Sequence, residues 1–316
     1  VSVVVPTRDR AALVGRAVRS ILAQTWPHLE VVVVDDGSTD DSRARLQAIA
    51  DPRLRVVAHA RPAGPGAARN LGIQAVRGEW VAFLDSDDEW LPDRLEADQA
   101  RLGAPDGRDA TVVYCQATWR GSEPERGRIV PDLLHEGDVL DPLLDGWMLT
   151  TSQFSVRRRA LLDTGGFAAD IPAGQDRDLL LRLAAAGARF VAVPRALVIK
   201  HQHRAPRVSM DLEAKVAGYR ALAARWGPLI VRRRGADALR HWRVLRETEI
   251  QFIGFGHVRA ALARGDRRAA WQAWLATLRG MPRPGRFLIR GLALVTLGPR
   301  GWRIARAALR RGPVLD

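Results

Sequence analysis

Four short apolar runs, each separated from the next by a helix-like stretch, constrain this chain most. Val1–Val5, Glu30–Val34, Leu54–Ala58 and Trp80–Leu84 are apolar almost throughout. Between them, Ala11–Gln24 repeats apolar residues at helical spacing (Leu13, Ala17, Ile21 and Val14, Val18, Leu22). Ser38 to Asp41 reads as the start of a second helix running to Ala50, and Ala67–Val76 as a third. A strand that is apolar on both faces must be covered on both faces. Strands alternating with helices in this way build βαβ units, so the expected class is α/β with a mostly parallel central sheet.

The ends of these strands hold the polar residues that matter. Pro6-Thr7-Arg8-Asp9 leaves the first strand where a dinucleotide-binding unit would carry a Gly-rich turn. There is no G-x-G-x-x-G and no P-loop lysine, so a pyrophosphate cradle made of backbone alone is not expected. Gly64-Pro65-Gly66 is only a faint echo of such a turn. Asp36 closes the second strand, where a carboxylate can accept a hydrogen bond from a uracil-type imide. Asp85-Ser86-Asp87-Asp88 closes the fourth. Ligands of open α/β sheets bind at the carboxyl ends of strands. Two acids two residues apart can share a hard divalent cation, and that cation can hold a diphosphate. The competing reading is a turn and cap for the helix that begins at Pro92-Asp93; Asp88 is assigned to that turn.

The second half is less regular. Thr111–Tyr114, Phe190–Val193 and Leu197–Ile199 read as short strands. Arg157–Thr164 and Asp176–Ala186 read as helices, while residues 119–150 carry little pattern. From Met210 the chain is helical, with breaks expected at Gly227-Pro228, Met281 to Gly285 and Gly298-Pro299.

Taken in order, five segments resemble family 2 glycosyltransferases of the GT-A fold. They are Val1 to Arg10, Ser20 to Thr25, Val33 to Asp40, Ala68-Arg69-Asn70-Leu71-Gly72 and Phe83 to Asp88. Thr164-Gly165-Gly166-Phe167 and Gln175 to Leu183 resemble the family's second half, so the likeness covers roughly residues 1–210. It implies a GT-A Rossmann-like nucleotide-diphospho-sugar transferase fold. It places Pro6, Thr7, Arg8, Asp36, Arg69, Asp85 and Ser86 at the donor. It gives Asp87, Asp85 and His203 to a Mn²⁺ or Mg²⁺ ion, with His201 competing for the histidine's part. Asp176 matches the catalytic base of inverting members, although Gln175 stands where the family often has Glu. The plainer reading makes Asp176 a helix cap and Asp178 an exposed face residue. Leu222-Ala223-Ala224-Arg225-Trp226 lacks the Gln of the Q-x-x-R-W motif found in processive synthases, so a non-processive transferase is implied. The resemblance implies a nucleotide-sugar donor, a UDP-sugar first, and a glycan or lipid-linked acceptor.

Charge divides the chain unevenly. Residues 1–200 hold 25 Lys+Arg and 28 Asp+Glu, while residues 201–316 hold 24 and 7. Expected domains are 1–209, a catalytic domain with a nucleotide half (1–102) and an acceptor half (103–209), and 210–316, a basic helical region. That region bears Trp226, Trp242, Trp271, Trp274 and Trp302 but no apolar run long enough to span a bilayer. Arg300–Arg311 sets Trp302, Ala305 and Leu309 along one side, an interfacial pattern suited to anionic lipid. Peripheral contact with an anionic membrane is expected, and nucleic acid is not. One cysteine, Cys115, rules out an internal disulfide. With no signal peptide visible after Val1, the expected location is cytoplasmic, at the inner face of the cell membrane. Two alternatives stand beside this reading: a nucleotidyltransferase-like metal enzyme, and an inactive glycosyltransferase-like binding module.

Overall fold

The structure, a computed structural model, describes residues 1–121, 127–201 and 210–280. His203 and the Arg300–Arg311 segment lie outside the described residues. The chain divides into two compact units, Val1–Arg204 and Ala205–Asp316.

Among the described residues, the first unit is built on a nine-stranded sheet. Its parallel half comprises β1 (Ser2–Thr7), β2 (Glu30–Asp35), β3 (Leu54–Ala58) and β4 (Trp80–Phe83), linked by α1 (Val14–Leu22), α2 (Ser42–Gln47) and α3 (Pro65–Ala75). β5 (Glu89–Trp90), α4 (Arg94–Gly103), β6 (Val112–Arg120), β7 (Ile129–Val130) and α5 (Leu140–Leu144) follow. The unit finishes with β8 (Phe154–Arg157), α6 (Arg158–Asp163), α7 (Gln175–Ala185) and β9 (Phe190–His201). The strand order is β3-β2-β1-β4-β8-β6-β9-β5, with β7 beside β6.

The core explains the apolar runs. Val3, Val4 and Val5 of β1 and Val31 to Val34 of β2 are all fully buried. Val3, Val5, Val31 and Val33 cluster with Val14, Ala17, Val18 and Ile21 of α1 and with Leu95 of α4. Val4 turns to the opposite face, where α3 approaches so closely that a methyl on Gly72 would sit 2.3 Å from the Val4 side chain. Each such valine contributes on the order of 1.5–3 kcal/mol by leaving water. β3 is the edge strand, and its Val56 is correspondingly exposed.

Three strands escaped the sequence reading, one of them the two-residue β7 beside β6. β8 runs antiparallel between β4 and β6, and the two-residue β5 runs antiparallel to β9. The two short strands expected after Arg189 are one strand, β9. Its pairing with β6 jumps from Cys115↔Val193 to Gln116↔Ala196, so Pro194 and Arg195 form a bulge rather than a break.

The second unit holds α8 (Leu212–Arg234), α9 (Ala236–Ala263) and α10 (Arg267–Gly280). The break expected at Gly227-Pro228 does not occur, for α8 runs through Pro228. A mid-helix proline costs about 3 kcal/mol. Burial of Tyr219, Leu222, Trp226 and Ile230 along one face offsets it. Gly254 lets α9 and α10 touch, since a methyl there would meet the Thr277 hydroxyl at 2.1 Å. Among the described residues, no helix is long and apolar enough to cross a membrane.

Candidate active site

Parallel neighbours release their loops side by side, and here those loops are stitched together. The Asp9 backbone N–H donates to the Ser38 hydroxyl (3.0 Å), and the Asp9 carboxylate accepts from the Thr39 N–H (2.7 Å). The Arg10 and Ala11 N–H groups donate to Ser42 and Asp40. Asp9 takes a left-handed conformation (φ 51°) to do so, which Asp tolerates better than most residues. Arg8 projects outward with over half its side chain exposed. Thr7 is buried, and its hydroxyl has no hydrogen-bond partner among the described residues. Asp36 is buried and occupied: its carboxylate accepts from His59 Nδ1 (2.7 Å) and from the Ala63 and Gly64 N–H groups (2.8 Å each). It therefore shapes the loop leading into α3.

β4 ends where the sheet changes from parallel to antiparallel pairing. Because β8 is antiparallel, the residues that precede it lie beside the exit of β4. That segment is a 3-10 turn, Thr151–Gln153, closed by a reciprocal Thr150–Gln153 capping box. Its hydroxyls serve the acids. Thr151 Oγ1 donates to Asp85 (3.0 Å), and Ser152 Oγ donates to Asp88 Oδ2 (2.6 Å) while accepting the Asp85 N–H (3.2 Å). Ser86 is buried between Asp85 and Asp87 in the turn after β4. Arg69, on α3, donates to Asp85 Oδ1 at 2.6 Å and lies over the Phe167 ring.

Pairing of β5 with β9 (Glu89↔Ile199) sets Asp88 opposite Lys200, whose Nζ is 2.7 Å from Asp88 Oδ2. Asp88 does close the turn, through its N–H to the Asp85 carbonyl, but its carboxylate is also a buried partner of Lys200. Glu89 accepts from His201 Nε2 (3.0 Å), and Arg16 donates to the Asp87 carbonyl (2.8 Å). Burial acts to raise the Asp85 carboxyl, yet Arg69 and Lys200 outweigh it and hold the group below the usual carboxylate range. Asp88 goes the other way: burial pushes it up, and Asp85 and Asp87 add to this against the pull of Lys200.

Asp85, Asp87 and Asp88 bring carboxylate oxygens within 4.8 Å of one another. An all-oxygen anionic donor set of this kind suits Mg²⁺ or Mn²⁺, so the residues present fit the divalent ion the sequence implies. Of the two histidines, His203 is outside the described residues and His201 is held by Glu89.

α7 and the loop before it reach this region through α3. Asn70 clamps the backbone of Phe167, accepting its N–H and donating to its carbonyl, both at 2.8 Å. Gly166 (φ 67°) is required there, because a methyl would lie 2.3 Å from Asn70 Oδ1. Arg182 holds the Thr164 and Gly166 carbonyls and pairs with Asp178 (2.7 Å). Asp178 is thus fully buried rather than an exposed face residue. Gln175 packs its amide against Gly66 at the start of α3. Next to it, half-buried Asp176 stands in the first turn of α7. The N-cap is Gly174 in a left-handed conformation, so Asp176 is not the cap. Thr151, Ser152 and Lys200 are the polar residues of this region that sequence reasoning missed.

The arrangement can bind a cation-held anion at the β4 exit and present a carboxylate from α7. The family model described as glycosyl transferase family 2 matches residues 2–165. Succinoglycan biosynthesis protein ExoO of Rhizobium meliloti is 37% identical over 215 residues, which cover 64% of this chain and 60% of that protein. TarS 1–349 of S. aureus, solved with UDP-GlcNAc, superposes with a TM-score of 0.63 at 17% identity over 100% of this chain and 93% of that one. The mannosyltransferase PcManGT from Pyrobaculum calidifontis, solved with GDP-Man and Mn²⁺, superposes with a TM-score of 0.55 at 20% identity, covering 98% and 86%. These likenesses show a shared GT-A fold. With half its length matched by one family model and its strand-end motifs in order, the chain belongs to glycosyl transferase family 2.

Proposed function

We propose that this chain transfers a sugar from a nucleotide-diphospho-sugar, a UDP-sugar first, to an acceptor hydroxyl with inversion, in the building of an envelope or secreted polysaccharide. The observation that carries the reading is the carboxylate cluster at the β4 exit, with Gln175 at the start of α7 packed against Gly66 of α3. Succinoglycan biosynthesis in the relative ExoO supports the polysaccharide setting, and UDP-GlcNAc in TarS and GDP-Man in PcManGT support a nucleotide-sugar donor.

In this reading Pro6, Thr7 and Arg8 line the donor's base and ribose, and the unpartnered Thr7 hydroxyl has a bond to give. Asp36 fixes the loop 59–64 that walls the base. Arg69, Asp85 and Ser86 face the sugar and diphosphate; Asp87, with Asp85 and His203, would hold the ion. A bound Mn²⁺ or Mg²⁺ would neutralise charge on the departing nucleoside diphosphate. Arg69 keeps Asp85 ionised and oriented before donor arrives. Asp176 takes the proton of the acceptor hydroxyl as that oxygen attacks the anomeric carbon from the side opposite the leaving group. An α-linked donor then gives a β-linked product. The test is a thermal-shift panel of UDP-, dTDP- and GDP-sugars with and without Mn²⁺. One base should raise the melting temperature in a metal-dependent way; no shift with any of them refutes the donor assignment.

A separate proposal concerns the helical unit. Val231, Val244, Phe252 and Leu275 are exposed apolar residues, and Arg232-Arg233-Arg234 follows directly on Val231. We propose that this unit makes peripheral contact with anionic lipid. Co-sedimentation with vesicles containing anionic lipid should exceed that with neutral vesicles and fall with salt. Equal recovery from both would refute it.

A further inference from the structure

We propose that Lys200 is the resident cation of the acidic cluster, holding Asp88 out of the divalent ion's coordination so that the ion is taken on the Asp85–Asp87 side. The inference rests on the metal-dependent reading above and assigns a positioning role to a residue that reading does not use. Asp88 oxygens are close enough to those of Asp85 and Asp87 to complete a three-carboxylate site. They are committed elsewhere. Asp88 Oδ2 accepts from Lys200 Nζ (2.7 Å) and from Ser152 Oγ (2.6 Å), and the Asp88 side chain is only 4% exposed. The Lys200 ammonium is fixed in turn, 3.3 Å from Thr150 Oγ1 and 5.8 Å from the centre of the Trp119 ring.

The physical consequence concerns charge count. Three carboxylates face two built-in cations, Arg69 on Asp85 and Lys200 on Asp88. Oxygen-ligand sites tune their affinity by how many ligand charges reach the ion. A buried Lys–Asp pair cancels one charge and removes one ligand. An ion there would then be held weakly without the oxygens of the donor's diphosphate. A lysine here makes ion binding depend on donor binding.

Mn²⁺ binding to metal-free protein at pH 8, with no donor present, tests this by electron paramagnetic resonance of free Mn²⁺. The variants are Lys200→Met, Asp88→Asn and the double variant, which replaces the pair by neutral groups of similar size. Lys200→Met frees a carboxylate and should tighten Mn²⁺ binding about tenfold or more. Asp88→Asn alone leaves Lys200 facing the ion and should weaken binding by a similar factor. The double variant has the wild-type charge balance and keeps Asp85 and Asp87, so it should bind as the wild type does. Losing one partner of a buried pair can unfold a protein where losing both does not. If Lys200→Met fails to fold, the double variant against Asp88→Asn still decides. Equal affinities for those two, or a Lys200→Met value equal to wild type, overturn the role of Lys200 while leaving the metal reading intact. No Mn²⁺ binding by any of the four proteins overturns the metal reading and this inference with it.

Discussion

Asp176→Asn should cut sugar transfer by about 10³-fold or more while leaving donor affinity as it is in the wild type. The size follows from what a positioned general base supplies, on the order of 10²–10⁴ in rate. An amide of the same shape keeps the packing but cannot take a proton. Separation of the two effects follows from placement. Asp176 stands on α7, whereas the donor's anionic end is assigned to the β4 exit with Arg69 and Asp85. The fold should tolerate the change, because Gly174 rather than Asp176 caps the helix. The paired measurements are initial transfer rate and donor Kd by calorimetry. A variant with wild-type turnover removes Asp176 from the role of base; one that loses donor binding as well places it at the donor instead.

Asp87→Ala should abolish the metal-dependent part of donor binding and lower turnover by roughly two to three orders of magnitude, since a Lewis acid on a leaving diphosphate is worth several kcal/mol. Stability should not fall with activity. Asp85 and Asp87 both push the buried Asp88 carboxyl upward by like-charge repulsion. Taking one of them away relieves that repulsion but also removes an attraction to the Lys200 ammonium, so the variant should melt near the wild-type temperature. Metal sites carry this signature: the acids are held together against their own charge, and the ion repays the strain. A variant that is destabilised and still metal-dependent would assign Asp87 to the fold.

Legibility in the sequence followed how local each feature is. β1, β2, β3 and β4 were readable because parallel strands covered on both faces are continuous apolar runs, as Val3 to Val5 and Val31 to Val34 show. β8 and β5 were not, because strands of four and two residues are defined by partners far along the chain. β9 looked like two strands because Pro194 and Arg195 interrupt its apolar pattern, and only pairing with β6 reveals a bulge. The acids of the site were legible as a strand-end motif, but their supports were not. Ser152 lies 64 residues from Asp88 and Lys200 lies 112 residues from it. Nothing near Lys200 in the sequence marks it as the partner of a carboxylate; the antiparallel β5–β9 register does. Asp36 shows the reverse case. Its strand-end position pointed to a ligand contact, and the structure shows three protein donors on its carboxylate. Gly227-Pro228 misled for a third reason. A local breaker was overridden by a buried helix face that supplies more free energy than the proline removes.

The central claim is that the β4 exit holds a metal-dependent sugar-donor site. Release of nucleoside diphosphate from UDP-, dTDP- and GDP-sugars, with Mn²⁺ and with chelator, tests it most directly when wild type and Asp87→Ala are run side by side. The account predicts release from donors of one base, present with Mn²⁺, absent with chelator, and lost in the variant. Release that persists in chelator, or that Asp87→Ala leaves unchanged, would contradict it.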